Sequence, residues 1–329
     1  VLAMVLALAA CGSSAPAAAT EAPAASTEAP AEDVSADKTF VVGICQLVQH
    51  PALDAATQGF KDALTEALGD KVTFQEQNAS GDSATCSLIC NQFVSDEVDL
   101  IMTNATASIQ AAASATNTIP ILGTSITDYG VALGVDNWTG VSGTNISGTS
   151  DLAPLDGQAA MIQELFPDAK TIGLLYCSGE PNSIFQADSM EALLTDMGYS
   201  VERYTFADSN DVSSVTANAC SNADVLYIPT DNTAASCTEA INNVALSAGI
   251  PIVAGEEGLA SGCGVATLSI SYYDLGRATG EMAAEILTEG ADISTMEVRF
   301  APAFTKEYNA DICEALNITV PEDYVAIAK

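Results

Sequence analysis

The chain has 329 residues, with 43 Asp and Glu against 9 Lys and Arg, and its formal net charge at pH 7 is −34. Because phosphate binding requires clustered Lys and Arg, this charge argues against nucleic acid and anionic membrane surfaces as partners. With 48% hydrophobic residues the chain can bury a large core, and its length corresponds to two domains of about 150 residues each.

The first 37 residues divide into two segments by composition. Residues 1–11 form an apolar run that ends in Leu8-Ala9-Ala10-Cys11, and the run is shorter than the about 20 residues that span a bilayer. This ending resembles a bacterial lipobox, which predicts a truncated lipoprotein signal peptide with Cys11 as the lipidation site. An ordinary signal peptide with an incidental Cys is the alternative. Residues 12–37 are rich in Ala, Pro, Ser, Thr and Glu, a composition that predicts a disordered tether.

Short apolar runs alternate with helical patterns from residue 38 onward. Between the runs, segments such as Ala52–Leu68 and Phe185–Met197 carry apolar residues three and four positions apart, which predicts helices. The alternation is typical of an α/β fold in which helices flank parallel sheets. The runs themselves predict strands at Thr39–Cys45, Val72–Gln77, Val98–Thr103, Pro120–Thr124, Thr171–Tyr176, Ser200–Thr205, Val225–Thr230 and Pro251–Gly255.

The second half of this body repeats the first. Three segments recur in the same order: Lys38–Gly43 matches Ala169–Gly173, Asp99–Ser108 matches Val225–Ser236, and Thr118–Gly123 matches Ala248–Gly255. The repeat predicts two Rossmann-like lobes that are joined by a hinge. We expect residues 38–149 and about 268–292 to form the first lobe, the latter as a long helix that crosses back. Residues 150–267 and about 293–329 are expected to form the second lobe.

Eight cysteines remain after Cys11, scattered along the body at Cys45, Cys86, Cys90, Cys177, Cys220, Cys237, Cys263 and Cys313. Buried free thiols are the favoured interpretation, because a body of this size has enough core without disulfides. Disulfides remain an alternative for an exported chain. A metal site at Cys86 and Cys90 is a further alternative, but no second Cys pair or His lies nearby in sequence, so neither metal nor cofactor is predicted.

Polar residues follow the predicted strands at their carboxyl ends, where ligands bind in open parallel sheets. If the two lobes face each other, six of these loops line one cleft. Hydroxyls and helix N-termini there suit an anionic group, and Asp231 or Glu256 suits an ammonium, so the cleft fits a small amino acid. The candidate ligand-binding residues are Gln46, His50, Asn104, Ala105, Thr127, Asp128, Ser178, Asn182, Ser183, Thr230, Asp231, Asn232 and Glu256.

Several of these residues have a structural alternative. Ser183, Thr106 and Asn232 are residue types that commonly cap helices, and His50 can be a turn residue before Pro51. An aromatic ligand would also need an apolar or stacking wall, for which the candidates are Leu47, Tyr129, Trp138 and Phe185.

Several motifs resemble the substrate-binding lipoproteins of bacterial ABC transporters, in the branch that binds tryptophan, tyrosine and related amino acids. They are Gln49–Asp54 (QHPALD), Gly59-Phe60, Phe93–Asp96 (FVSD), Pro229–Thr233 (PTDNT) and Tyr272–Gly280 (YYDLGRATG). The likeness runs from about Lys38 to the C-terminus. It implies a type I periplasmic-binding-protein-like fold, whose lobes close on the ligand and then dock onto a membrane permease.

These observations predict a lipid-anchored, monomeric solute-binding protein on the outer face of the bacterial cytoplasmic membrane. It would capture an aromatic amino acid (Tyr, Trp or Phe) in the cleft between the lobes and deliver it to an ABC importer. A sensor or adhesin lipoprotein without a transport role is the alternative. An enzyme is not expected, because the sequence contains no Gly-x-Ser-x-Gly elbow, P-loop or HExxH motif and only one His.

Overall fold

The computed structural model of the protein describes residues 38–301 and 303–328. The predicted signal peptide, the lipidation site at Cys11 and the tether at residues 12–37 lie outside the described residues. Within the two described ranges, no helix combines the length and the apolar character that crossing a bilayer requires.

The helices and strands are numbered in chain order and fall into three successive groups. The first comprises β1 (Phe40–Gln46), α1 (Pro51–Leu68), β2 (Val72–Asn78), α2 (Ser83–Ser95), β3 (Leu100–Asn104), α3 (Thr106–Ala115), β4 (Ile121–Ile126), α4 (Tyr129–Leu133) and β5 (Ile146–Ser150). The second comprises α5 (Leu155–Leu165), β6 (Thr171–Cys177), α6 (Pro181–Asp196), β7 (Ser200–Phe206), α7 (Val212–Cys220), β8 (Val225–Ile228), α8 (Asn232–Ala235), α9 (Thr238–Ala248), β9 (Ile252–Ala254), α10 (Glu257–Gly262) and β10 (Ala266–Ser269). The third comprises α11 (Tyr272–Glu289), β11 (Arg299–Phe300), β12 (Thr305–Tyr308), α12 (Ala310–Leu316) and β13 (Val325–Ala326), and short 3₁₀ turns lie at Gly69–Lys71 and Ile293–Thr295.

The strands form two sheets with the same internal order. The six-stranded sheet runs β11-β5-β4-β3-β1-β2, and the seven-stranded sheet runs β13-β12-β10-β9-β8-β6-β7. The order β2-β1-β3-β4-β5 of the first sheet therefore recurs as β7-β6-β8-β9-β10 in the second. Neighbouring strands are parallel except for β10 and β12. The predicted α/β class and pair of parallel sheets are confirmed. We call the first sheet with its helices lobe 1 and the second lobe 2.

The predicted membership of residues 293–329 in lobe 2 is wrong for its first part. Strand β11 pairs in parallel with β5, with Arg299 opposite Thr149, and Ile293 packs in the same core cluster as Phe60. Residues 293–300 therefore belong to lobe 1, whereas β12 and β13 extend the sheet of lobe 2. A two-residue edge strand has no sequence periodicity that reveals which sheet it joins, so only its pairing decides.

The lobe boundaries also shift by a few residues at the other two crossovers. Ser150 is the last residue of β5 in lobe 1, and β10 keeps the chain in lobe 2 through Ser269. The chain thus passes between the lobes three times: after Ser150, after Ser269 and between Phe300 and Thr305.

Helices α5 and α11 each follow a strand of one lobe but pack against the other lobe. Helix α5 follows β5 of lobe 1, yet Ile162 packs in a core cluster with Ile172 of lobe 2. Helix α11 follows β10 of lobe 2 but packs along α1. A Cβ atom at Gly276 would collide with the carbonyl oxygen of Ala56, so this helix pair requires glycine for its close approach.

All eight cysteines in the described ranges are free, and seven of them are buried. Cys45, Cys86 and Cys90 lie in one core cluster of lobe 1. Within those ranges, no group of three or more His, Cys, Asp or Glu side chains is arranged to hold a metal ion.

Candidate ligand-binding site

A cavity with an empty volume of about 270 Å³ lies between the carboxyl ends of the strands of both lobes. Twelve residues line it: His50, Leu53, Ser125, Thr127, Asp151, Asn182, Thr230, Asp231, Asn232, Ala235, Glu256 and Tyr272. Parallel strands bring these loops together because each strand of a doubly wound sheet ends on the same side.

A buried polar network sets the N-terminus of α1 against the ends of β1 and β3. The Asn104 side-chain amide donates to the Leu53 carbonyl at 2.8 Å and to Thr57 Oγ1 at 2.9 Å. Thr57 Oγ1 donates in turn to Gln46 Oε1 at 2.6 Å. Gln46 and Asn104 therefore do not line the cavity. They hold the helix start that presents Leu53 and His50 to it.

The turns after β3 and β4 use backbone conformations that are uncommon outside glycine. Ala105 has φ 85° and Ser125 has φ 56°, in the left-handed region where a Cβ atom is disfavoured. Ala105 begins the turn into α3 and does not line the cavity, whereas Ser125 does. Such conformations cluster at binding sites, where the surrounding structure maintains them.

His50 of lobe 1 contacts Asn232 of lobe 2 across the cleft, with 3.3 Å between His50 Nε2 and Asn232 Oδ1. The orientation of the Asn232 amide is determined by Glu180, which accepts a hydrogen bond from Asn232 Nδ2 at 2.7 Å. Asn232 Oδ1 can only accept, so His50 Nε2 carries the proton and Nδ1 is left as an acceptor. Burial lowers the pKa of His50, which favours the neutral ring.

Asp231 and Glu256 each cap a short helix, and in each carboxylate both oxygens accept backbone hydrogen bonds. Asp231 accepts hydrogen bonds from the backbone N–H groups of Ala234 at 2.8 Å and Cys177 at 2.7 Å. Glu256 accepts from Gly258 at 2.5 Å and Leu259 at 2.6 Å. Burial raises the pKa of Asp231, with a smaller contribution from nearby Glu180, and burial raises the pKa of Glu256 to about 7.

Asp151 differs from these two carboxyl groups in having a free oxygen. Its Oδ2 accepts a hydrogen bond from the Tyr272 hydroxyl at 2.9 Å, while Oδ1 is buried and has no partner among the described residues. Burial raises the pKa of Asp151, and hydrogen bonding by the hydroxyls of Tyr272 and Thr127 opposes that rise. The side chain is only 3% exposed, so no bulk water reaches it in this arrangement.

Buried polar atoms without a partner are concentrated at the cavity. Of seven such side-chain atoms in the described ranges, four belong to lining residues: His50 Nδ1, Ser125 Oγ, Asp151 Oδ1 and Asn182 Oδ1. Each buried group that lacks a partner costs about 1–3 kcal/mol, and native structures contain few of them. Their concentration here indicates a site that is completed by a polar ligand.

Seven of the thirteen residues singled out in the sequence line this cavity: His50, Thr127, Asn182, Thr230, Asp231, Asn232 and Glu256. Besides Gln46, Asn104 and Ala105, three others lie elsewhere. Asp128 caps α4 by accepting from the Val131 N–H at 2.7 Å. Ser178 Oγ donates to the Phe206 carbonyl at 3.2 Å. Ser183 is buried beside Asn182, 3.4 Å from its amide nitrogen.

The four residues proposed as an aromatic or apolar wall do not line the cavity. Tyr129 stacks on Trp138 with ring centroids 5.8 Å apart, and its hydroxyl donates to the Gly123 carbonyl inside lobe 1. Leu47 and Phe185 also lie outside the set of lining residues. Apolar contact in the cavity comes instead from Leu53, Ala235 and the ring of Tyr272.

Asp151 and Tyr272 are cavity residues that the sequence reasoning did not select. Asp151 follows β5, whose small polar residues (ISGTS) show no apolar alternation, and so this strand end was not recognised. Tyr272 is the first residue of α11, and the sequence analysis names it only within the family motif Tyr272–Gly280. The general rule that polar residues after strands bind ligands would have found Asp151 once β5 was known.

Comparison with known proteins identifies the family of this chain. The family model for ABC transporter substrate binding proteins matches residues 41–329. A tyrosine-binding protein from Clostridioides difficile (strain R20291) is 38% identical over 280 residues, which cover 84% of this chain and 81% of that protein.

Two solved structures resemble the chain over nearly their whole length. An ABC domain from Streptococcus pneumoniae in complex with L-Trp is 32% identical with a TM-score of 0.82, over 87% of this chain and 97% of that one. The ligand-free, open structure of a substrate binding protein with adhesive properties from Clostridium difficile is 37% identical with a TM-score of 0.68, over 88% and 99%. The better superposition on the ligand-bound structure agrees with the hydrogen bond across the cleft between His50 and Asn232.

The matched family and these relatives consist of solute-binding proteins, not enzymes, and their fold is the pair of parallel α/β lobes described above. The chain belongs to the ABC transporter substrate-binding protein family and has a type I periplasmic-binding-protein-like fold.

Proposed function

We propose that this protein binds an aromatic amino acid, such as tyrosine or tryptophan, in the cavity between its lobes and delivers it to an ABC importer. The observation that carries the proposal is the set of buried polar atoms without partners around the cavity. His50 Nδ1, Asp151 Oδ1 and Asn182 Oδ1 can accept hydrogen bonds from a ligand, and Ser125 Oγ can also donate one. An α-amino acid presents the complementary set of groups.

The two charged groups of an amino acid have different requirements in this cavity. Its ammonium donates three hydrogen bonds, and the cavity wall offers at least that many acceptors without partners. Its carboxylate requires donors, for which the hydroxyl of Ser125 is available because it has no partner among the described residues. No Lys or Arg is among the lining residues. A ligand with only negative charge would therefore be placed next to the carboxyl groups of Asp151, Asp231 and Glu256 without a compensating cation.

The aromatic class of the ligand is supported by the relatives. The Clostridioides difficile relative is a tyrosine-binding protein, and the Streptococcus pneumoniae structure contains L-Trp. In this chain the apolar part of the wall comes from Leu53, Ala235 and Tyr272. The ring of Tyr272 provides an aromatic face.

Ligand binding is coupled to closure of the two lobes. Thr127 of lobe 1 approaches Gln186 of lobe 2, with 3.5 Å between Thr127 Oγ1 and the amide nitrogen, in addition to the contact between His50 and Asn232. Ligand that touches both lobes binds the closed form better than the open one, and this difference in affinity shifts the equilibrium towards closure. The closed form is then the one that docks on the permease.

The location and the assembly state are parts of the same proposal. A lipid anchor at Cys11 would hold the protein at the outer face of the cytoplasmic membrane, with residues 12–37 as the tether. The binding body would act as a monomer, since one chain supplies every residue of the cavity wall described here. No cofactor enters the proposed cycle.

Thermal unfolding in the presence of each of the twenty common amino acids tests the proposed ligand class. We expect tyrosine, tryptophan or phenylalanine to raise Tm, because a ligand at a hundredfold excess over Kd stabilises the folded state by about 2.7 kcal/mol. Glycine and the acidic amino acids should leave Tm unchanged. No rise in Tm with any aromatic amino acid would contradict the proposal.

A ligand-binding adhesin or sensor without a transport role is the second candidate. It is favoured by the Clostridium difficile relative, which is a substrate binding protein with adhesive properties. Uptake of the labelled amino acid by cells that lack this protein separates the two roles. Reduced uptake supports delivery to an importer, whereas normal uptake together with measurable binding in vitro supports the adhesin or sensor.

A further inference from the structure

Asp151 and Tyr272 connect two of the three crossovers between the lobes. Asp151 directly follows β5 at the first crossover, and Tyr272 begins α11 at the second. The Tyr272 hydroxyl donates to Asp151 Oδ2 at 2.9 Å. Both side chains also line the cavity. The pair thus lies where the lobes join and where the ligand is bound.

Three carboxyl groups line the cavity, and they differ in what their oxygen atoms already contact. Glu256 uses both oxygens to accept backbone N–H groups at the start of α10, and Asp231 uses one at the start of α8 and the other on Cys177 at the end of β6. Asp151 uses only Oδ2, and its Oδ1 is buried without a partner. Among the partnerless acceptors of the wall, His50 Nδ1 and Asn182 Oδ1 belong to uncharged side chains. Asp151 is therefore the acidic lining residue that has an oxygen available.

A buried carboxylate without a cationic partner is strongly unfavourable, because it has lost its water. No Lys or Arg is among the lining residues, so the cation that would pair with Asp151 has to come from the ligand. A hydrogen bond between an ammonium and a carboxylate is about twice as strong as one between neutral groups.

We infer that Asp151 is the residue that selects for the ammonium group of the ligand, and that Tyr272 positions it. The Tyr272 hydroxyl holds Oδ2 and thereby orients the carboxylate so that Oδ1 is left for the ligand. The ammonium is bound at the crossovers, where Asp151 and Tyr272 lie, and Asp231 and Glu256 keep their role as helix caps. This inference rests on the proposed function and adds the residue that distinguishes an amino acid from the same molecule without its amino group.

The test compares each amino acid with its analogue that lacks the amino group. Calorimetric Kd values are measured for L-tyrosine and 3-(4-hydroxyphenyl)propanoate, and for L-tryptophan and 3-(indol-3-yl)propanoate, with the full chain. We expect the parent protein to prefer the amino acid by about 100-fold, since hydrogen bonds to charged groups contribute about 1.5–3 kcal/mol. Asp151→Asn should reduce this preference to less than about fivefold, with little change in the Kd of the analogue.

Two further variants separate selection from a structural role. Tyr272→Phe keeps the ring and removes the hydroxyl, so the preference for the amino acid over its analogue should fall about three- to tenfold. If Asp151→Asn does not fold, this variant tests the inference in its place. Asp128→Asn is the matched control: it makes the same chemical change outside the cavity and should retain the parental preference.

The possible failures can be told apart. If the parent protein binds none of these compounds, the proposed function is wrong. If it binds them and Asp151→Asn weakens the amino acid and its analogue equally, Asp151 has only a structural role and this inference is overturned. It is likewise overturned if Glu256→Gln removes the amine preference while Asp151→Asn retains it.

Discussion

At the scale of single residues, the surroundings of a carboxyl group determine what it can do. Asp231, Glu256 and Asp151 are all acidic, buried and next to one cavity. Backbone N–H groups bind both oxygens of the first two, which also cap α8 and α10. Sequence reasoning selected Asp231 and Glu256 for the ammonium, because it could identify polar residues after strands but not their hydrogen-bond partners.

Glu256 should make the stability of the ligand-free protein depend on pH. Burial raises its pKa from 4.5 in the unfolded chain to about 7 in the folded protein, so the folded state retains a proton that the unfolded state has released. Its favourable contribution to the free energy of unfolding is complete below pH 4.5 and is lost as the pH rises through about 7. The loss is at most about 3 kcal/mol.

Urea unfolding at pH 5 and pH 8 measures this effect. Glu256→Gln cannot ionise, and its stability should therefore fall less between the two pH values than that of the parent. Glu281→Gln removes a carboxyl group from the exposed face of α11 and serves as the control, with the parental pH dependence. An equal fall in stability for Glu256→Gln and the parent would show that Glu256 does not contribute.

At the scale of elements, the apolar runs were sufficient to identify eight strands and the helices between them. Strands β5 and β10 were missed, because ISGTS and ATLS consist largely of small and hydroxyl residues without clear alternation. The two-residue strand β11 lies in the segment 293–329, which was predicted for lobe 2, but it pairs with β5 of lobe 1. These errors share one cause: short strands without apolar alternation obtain their conformation from pairing with a neighbour rather than from their own sequence.

The close packing of α11 on α1 should require glycine at position 276, because no side chain fits there. Because a Cβ atom there would meet the Ala56 carbonyl oxygen, Gly276→Val should lower the free energy of unfolding by about 1–3 kcal/mol. Glu281→Val places the same β-branched residue on the exposed face of this helix and should cost less than about 1 kcal/mol. Urea denaturation of both variants gives the comparison, and equal losses would mean that the close approach is not required.

At the scale of the whole molecule, the charge of −34 affects the stability of the fold more directly than it affects ligand binding. The charge on a compact body repels itself. Ion pairs such as those of Lys61 with Glu76 and Arg277 with Glu66 are at the surface, where each contributes about 0–1 kcal/mol. They offset little of the general repulsion.

Salt should therefore stabilise the protein. Raising NaCl from about 10 mM to about 150 mM shortens the Debye length from about 30 Å to about 8 Å, which screens the repulsion and should raise Tm in thermal unfolding. KCl should act like NaCl, because screening depends on ionic strength and not on the identity of the monovalent ion. A Tm that falls with added salt would indicate that attractive ion pairs outweigh the repulsion.

The sequence by itself determined the α/β class, the internal duplication and seven of the cavity residues, because hydrophobic periodicity and the position of polar residues after strands are local features of the chain. Tertiary structure decided the sheet to which residues 299–300 belong, the residues at which the chain crosses between the lobes, and the distinction between capping and available carboxyl groups. These depend on contacts between residues that are far apart in sequence, such as the hydrogen bond between Asp151 and Tyr272. No local pattern contains that information.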